Sequence, residues 1–300
     1  MSKRMAMSVS ALLMLVLCMG LFVPSVAEGS APVAKNFEFE TYRNVSYGGQ
    51  LSAIDPEGDT LSFEITTEPV KGTIELGDDG SFVYTPNEGK KGKDYFGYKA
   101  IDAEGNSSQE ATVIIHLLKQ DTDISYEDMA GSAAEYAAVR LAECGVFTGV
   151  RYGNEYCFSP NEPVSRGEFL ALCLEVTDAD ILNGVVSTGF FDDELIPDWQ
   201  KEYISTGVRD GIVKGYAAAS GAVFDSDSSI TKAEAVAMLS RTLKLSDVSY
   251  INLNDGIPAW IEQETANLYA NDIVTNVSAM GAPLTRADAA VILSNAMDIE

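Results

Sequence analysis

Three hundred residues are enough for roughly two domains, and a formal charge of −25 at pH 7 makes the chain strongly acidic. That charge excludes non-specific binding to nucleic acid or to an anionic membrane, both of which need cationic surface. The apolar share of 46% is ordinary for a globular protein, and one histidine with four cysteines leaves no zinc-ligand spacing.

The chain opens as an export signal. Lys3 and Arg4 precede an apolar run from about Ala11 to Val23, and Ser25-Val26-Ala27 places small residues at a cleavage site. Residues 1–27 are therefore read as a secretory signal peptide; Leu17 before Cys18 is too large for a lipoprotein signal. No later stretch stays apolar for long enough to span a bilayer. A secreted protein with no membrane span in its mature part is expected.

Residues 31–118 predict an all-β sandwich. Leu61–Ile65, Thr73–Leu76, Ser81–Tyr84, Asp94–Tyr98 and Ala111–Ile115 are short β-rich runs separated by Gly- and Asp-rich turns. With Ala53-Ile-Asp-Pro-Glu-Gly-Asp-Thr-Leu61, Gly80-Ser-Phe-Val-Tyr-Thr-Pro86 and Gly92-Lys-Asp-Tyr-Phe-Gly-Tyr98, this stretch resembles the bacterial cadherin-like, Ig-like repeats of surface proteins. The resemblance implies a spacer or adhesive module, some of which bind calcium. Asp55, Glu57, Asp59, Asp102 and Glu104 can offer hard oxygen ligands to that ion. Asp beside Gly is equally ordinary turn chemistry. His116, at the end of the last strand, reads as a surface or edge residue, and residues 119–123 as a short polar linker.

From residue 124 the periodicity turns helical and repeats three times, over 124–185, 186–247 and 248–300. Ala133, Trp199 and Trp260 open the first helix of each unit; Gly145-Val-Phe-Thr-Gly149, Gly211-Ile-Val-Lys-Gly215 and Asp272-Ile-Val-Thr-Asn276 follow it. Next come Val164-Ser-Arg-Gly-Glu168, Ile230-Thr-Lys-Ala-Glu234 and Leu284-Thr-Arg-Ala-Asp288, each reading apolar, hydroxyl, cation, small, acid. The spacing from turn to cation is the same in the first two units, 145 to 166 and 211 to 232, and shorter in the third, 272 to 286. The missing loop and glycines predict that the Arg286 site is the degenerate one. Cys144 and Cys157 flank the first turn and can pair in an oxidising setting, whereas Cys173 sits where a small buried hydrophobe belongs.

The five-residue motif has two layers. Ser165, Thr231 and Thr285, each three residues before Glu168, Glu234 or Asp288, predict capping boxes at helix starts. Arg166, Lys232 and Arg286 fall in the first helical turn, where the macrodipole disfavours a cation by about 0.3–1 kcal/mol. Three such placements ask for an anionic partner. It is either a ligand held jointly with free helix N-terminal amides or a neighbouring acid of the chain.

With Phe191-Asp-Asp193, Trp199, Gly211-Ile-Val-Lys-Gly-Tyr216, Phe224 and Ile230-Thr-Lys-Ala-Glu234, the second half resembles three tandem S-layer homology modules. The resemblance implies a mainly α-helical pseudo-threefold bundle whose grooves hold a cell-wall polysaccharide, commonly pyruvylated. It assigns glycan contact to Ser165, Arg166, Glu168, Thr231, Lys232 and Glu234, and to Thr285, Arg286 and Asp288. Gly167 and Lys232 depart from the usual Ala and Arg, and Asp288 shortens the acid. Gly145, Gly149, Gly211 and Gly215 would allow close backbone approach. Trp199 and Trp260 would either wall a sugar or anchor the helical core. The expected protein is a non-catalytic surface anchor that displays a β-sandwich able to meet other surface proteins. A subunit of a surface lattice and an exported carbohydrate-active enzyme are the alternatives.

Overall fold

The computed structural model describes residues 29–153, 155–219, 221–249 and 256–299. The expected signal peptide and the Leu253-Asn-Asp255 opening of the third repeat lie outside the described residues.

The N-terminal part is a two-layer β-sandwich. One sheet is formed by β2 (Phe37–Tyr42), β9 (Ala111–Leu118), β8 (Gly92–Ile101) and β5 (Ser62–Thr67), in that order. The other orders β3 (Tyr47–Gln50), β7 (Ser81–Pro86) and β6 (Gly72–Leu76). A short ribbon pairs β1 (Val33–Ala34) with β4 (Ala53–Ile54). Strand β2 runs parallel to β9, and the remaining sheet pairings are antiparallel. Alternation drives the layering: Phe39, Phe82, Tyr84, Phe96, Tyr98, Val113 and Ile115 point inward and are buried. The two core tyrosines still satisfy their hydroxyls. Tyr84 donates to Asp94 at 3.0 Å, and Tyr98 reaches the carbonyls of Lys35 and Ser52.

The rest is helical. The helices are α1 (Glu135–Glu143), α2 (Arg166–Val176), α3 (Asp198–Arg209), α4 (Lys232–Leu243), α5 (Glu262–Ala270) and α6 (Arg286–Ala296). They form three helix–loop–helix repeats. The first helix of each turns out through a left-handed residue: Gly145 (φ 73°), Gly211 (φ 74°) and Asp272 (φ 57°). Asp272 adopts without a glycine the conformation that glycine takes most cheaply. In the first two repeats the loop then forms a hairpin, β10 (Val150–Tyr152) with β11 (Glu155–Cys157), and β12 (Tyr216–Ala218) with β13 (Gly221–Val223). Among the described residues, the shorter third loop has no such hairpin.

The repeats close on one another in a ring. The Val164 amide donates to the Leu284 carbonyl, Leu284 to Ile230, and Ile230 to Val164, at 3.0, 2.8 and 3.0 Å. All three side chains are buried. Equivalent motif residues therefore meet around one axis, and the third repeat abuts the first as well as the second. Arg140 of α1 adds a clasp on Asp298, beyond α6, with a further bond to the Ser294 carbonyl.

The sandwich is docked onto the first repeat. The Gly48 amide donates to Ala133, the Tyr136 amide to Ser46, and the buried Glu135 carboxylate accepts from the amides of Ser46 and Gly131. Tyr47 and Tyr42 pack on Tyr136 with ring centroids 5.4 and 5.7 Å away. The segment read as a short polar linker is tied down too, since Glu143 accepts from the amides of Asp121 and Thr122. Burial pushes the Glu135 carboxyl above its ordinary value, outweighing those two amide bonds. A carboxyl raised by folding makes stability fall as pH rises from the ordinary carboxylate value through the folded one. Glu135→Gln keeps an acceptor for both amides without the charge. It is expected to flatten that slope in melting temperatures measured across pH 4–7.

Candidate functional site

The three motifs build the most organised cluster of polar groups in the helical region. Ser165, Thr231 and Thr285 are the N-caps of α2, α4 and α6, and each side-chain oxygen accepts the amide three residues on. The return half of the capping box forms only at Thr231, whose amide donates to Glu234 at 3.0 Å. Glu168 and Asp288 are turned elsewhere.

They are turned toward cations. Arg166 pairs with Glu234 at 3.3 Å, Lys232 with Asp288 at 3.1 Å, and Arg286 with Glu168 at 3.1 Å. Each cation of one repeat meets the acid of the next, and the third closes on the first. The anionic partner that the cations demand is thus present within the chain.

The helix N-termini are likewise committed. The amides of Arg166 and Gly167 donate to Ser228 and Ser226, those of Lys232 and Ala233 to Ala282 and Met280, and those of Arg286 and Ala287 to Glu162 and Pro160. With the third amide of each helix on its cap, the expected open amide cradle for an anion is not there. The carbonyls of the next repeat's loop have filled it, as buried helix ends require.

Two of the three cations are enclosed. The Arg166 guanidinium lies between the rings of Tyr216 and Phe224, 4.6 and 5.1 Å from their centroids, and its Nε donates to the Phe224 carbonyl. Arg286 lies over Phe147 and Phe158, at 4.3 and 5.1 Å, with Nε on the Phe158 carbonyl at 2.7 Å. Stacking and a shared carbonyl offset the desolvation of each guanidinium. Lys232 has no ring over it among the described residues, and its side chain is 25% exposed against 9% for Arg166. The cation served by the short third loop is therefore Lys232, not Arg286. The sequence expectation that the Arg286 site is the degenerate one is corrected, because each cation uses the loop of the following repeat.

Asp128 and Asp192, which open the first two repeats, support these sites. Asp128 accepts the amides of Phe158 and Ser159, and Asp192 those of Phe224 and Asp225. Each holds the aromatic residue whose carbonyl receives the arginine. An aromatic residue stands two positions before each, Tyr126 and Phe190, packed on the ring that the aspartate holds, and that pairing is the sequence signal that marks them.

The glycines serve the fold. A Cβ at Gly149 would strike the Cys157 carbonyl, and one at Gly215 the Phe190 ring and the Val223 carbonyl. The close approach at these two is to the chain's own hairpin, while Gly145 and Gly211 supply the turn. Gly167 stands where the other two motifs have Ala233 and Ala287 for a similar reason: a Cβ there would meet the buried side chains of Gln200 and Ser226. Gly→Ala inside a helix usually stabilises by about 0.5–1 kcal/mol. At Gly167 it is expected to destabilise by about 1–3 kcal/mol through overpacking, read from denaturant midpoints.

Trp199 and Trp260 are not core anchors. They are 56% and 55% exposed, and Trp199 precedes Gln200, which touches Gly167 at the boundary between the first two repeats. Among the described residues the cysteines are all free. Cys157 lies in a hairpin strand beside Asp128 rather than against Cys144, and burial raises its thiol, with Asp128 and Glu127 adding to the effect. Cys173 is buried, as its apolar helix predicts.

The calcium loop is used up by turns. Asp55 Oδ1 accepts the amides of Glu57 and Asp59, and Asp102 Oδ1 those of Glu104 and Asn106. Glu104 and Glu57 accept from Gly29 and Ser30. Partial desolvation, then the nearby Asp55 and Glu104, raises the Asp59 carboxyl. Asp55 Oδ2 is buried without a partner, yet among the described residues no three acidic, thiol or imidazole groups converge as a metal site. The residues do not fit a calcium ion in this arrangement.

Residues 29–119 match the bacterial cadherin-like domain family. This part of the chain is a bacterial cadherin-like domain. The chain is also 26% identical over 160 residues to a surface-layer 125 kDa protein of Lysinibacillus sphaericus, an alignment covering 49% of this chain. It is 23% identical over 258 residues to an amylopullulanase of Thermoanaerobacterium thermosulfurigenes, covering 82% of this chain. It spans only 13% of the length of each. An endo-fucoidan hydrolase of glycoside hydrolase family 107 superposes on 31% of this chain and 14% of its own, at 23% identity and a TM-score of 0.26. So loose a superposition carries no argument about this chain. Among the described residues no helix is long and apolar enough to cross a membrane.

Proposed function

We propose that this is a non-catalytic protein of the cell surface. Its three repeats act as S-layer homology modules that hold a carboxylate-bearing cell-wall polysaccharide, and its cadherin-like domain is displayed as a spacer or adhesive head. The observation that carries the reading is the cyclic interlock of the three related motifs, in which the cation of each repeat meets the acid of the next around one axis. A pyruvylated sugar offers one carboxylate on a polar ring, so it needs an accessible cation and an exposed aromatic face. Lys232 supplies the first, and Trp199 and Trp260 the second. The likeness to a protein named for a surface layer and to one named for a different activity, each over a small share of its length, suits an anchoring segment.

The full chain should sediment with purified cell-wall sacculi and stay in solution once hydrofluoric acid has stripped their polysaccharide. Sedimentation that survives stripping would show attachment to the peptidoglycan that remains and end the reading of the wall polysaccharide as the ligand.

A further inference from the structure

Arg166 and Arg286 occupy equivalent places, but their outer surroundings differ. Under each guanidinium lies a buried ring, Phe224 or Phe158. The second ring beside Arg286, Phe147, is buried as well. The second ring beside Arg166 is Tyr216, which is 40% exposed and so forms an outer plate between the guanidinium and solvent. Its hydroxyl bonds Glu234 Oε1, the oxygen that also accepts from Arg166 Nη1. In the first hairpin the matching position is Val150, which has no hydroxyl to offer Glu168.

We propose that Tyr216 is a lid on the groove between the first two repeats, closed over Arg166 and latched to Glu234. The proposal rests on the glycan reading of the grooves. A ligand carboxylate reaches Arg166 there only when the phenol releases Glu234 and the ring swings outward. The two arginine grooves are then unequal: the one at Arg286 has no such plate. Tyr216 sets how readily the Arg166 groove takes a carboxylated sugar. The phenol is held in its neutral, donating form by burial and by Glu234, which push its pKa up to about 12, so the latch stays closed across the neutral range.

Two variants separate the latch from the plate: Tyr216→Phe removes the hydroxyl, and Tyr216→Val reproduces the first repeat. Arginine labelling with phenylglyoxal, followed by mass spectrometry, reads the lid without any glycan. Arg166 should label several-fold faster in Tyr216→Val than in the wild type, with Arg286 unchanged as the internal reference. An Arg166 rate that stays the same in both variants overturns the lid. The isolated wall polysaccharide reads the consequence. Tyr216→Phe should bind about fivefold more tightly, the worth of one hydrogen bond, while weaker binding would make Tyr216 a wall of the site and contradict the proposal. Should the wild type bind no polysaccharide, the glycan reading falls, and the labelling rates still decide the lid. A melting curve for each variant confirms that the hairpin is intact.

Discussion

Glu234→Ala is expected to cost about 3–5 kcal/mol of stability, the loss that follows when one partner of a buried ion pair is removed. Arg166 is 7% exposed and would be left with rings and one carbonyl, without an acid. The same substitution removes the only complete capping box and the partner of the Tyr216 hydroxyl. Replacing both Arg166 and Glu234 by residues of similar size, such as Met and Gln, should cost clearly less than Glu234→Ala. The pair is held more by the penalty of breaking it than by its own net worth. Burial opposes ionisation of Glu234. Hydrogen bonds from Tyr216 and Thr231, with the charge of Arg166, outweigh it and hold the carboxyl below its usual range. A carboxyl lowered by folding gives stability that is present above the unfolded value and lost as pH falls through the folded one. The acid limb of the wild-type stability curve should therefore be shallower in Glu234→Ala. Chemical denaturation from pH 3 to 7 measures both effects.

Lys232→Ala should do the opposite: little to the fold and much to wall binding. Its pair with Asp288 is partly exposed on both sides, and such pairs are worth about 0–1 kcal/mol. A charge-assisted bond from the ammonium to a ligand carboxylate is worth about 1.5–3 kcal/mol, so affinity for the wall polysaccharide should fall about 10- to 100-fold. Lys232→Arg should recover most of the loss. A fall in melting temperature as large as that of Glu234→Ala would instead make Lys232 one more strut of the ring.

Much of this was legible in the residues. The alternating runs of 31–118 gave the sandwich, and the hydroxyl-to-acid spacing gave all three N-caps, because both signals are local. What was not legible was non-local. The cation of each motif sits against the loop and acid of the next repeat, so the short third loop strips the groove at Lys232 rather than at Arg286. The spacing of Arg286 to its own loop carries no trace of that, since its rings come from Phe147 and Phe158, far earlier in the chain. For the same reason the helix N-termini looked open: their amide acceptors, such as Ser226 and Ser228 for α2, belong to another repeat. The residues alone left the tryptophans open between a sugar wall and a core anchor, because a large apolar residue opening a helix suits either, and only packing reveals that Trp199 and Trp260 are exposed.

The central claim is that a carboxylate on the wall glycan is what the repeats hold. Calorimetric titration of the full chain with isolated wall polysaccharide, intact and after mild acid removal of its pyruvate, tests that most directly. Binding to the intact polymer that drops at least tenfold on loss of the pyruvate, with the remaining affinity insensitive to Lys232→Ala, is the predicted result. Equal affinity for the two polymers would contradict it.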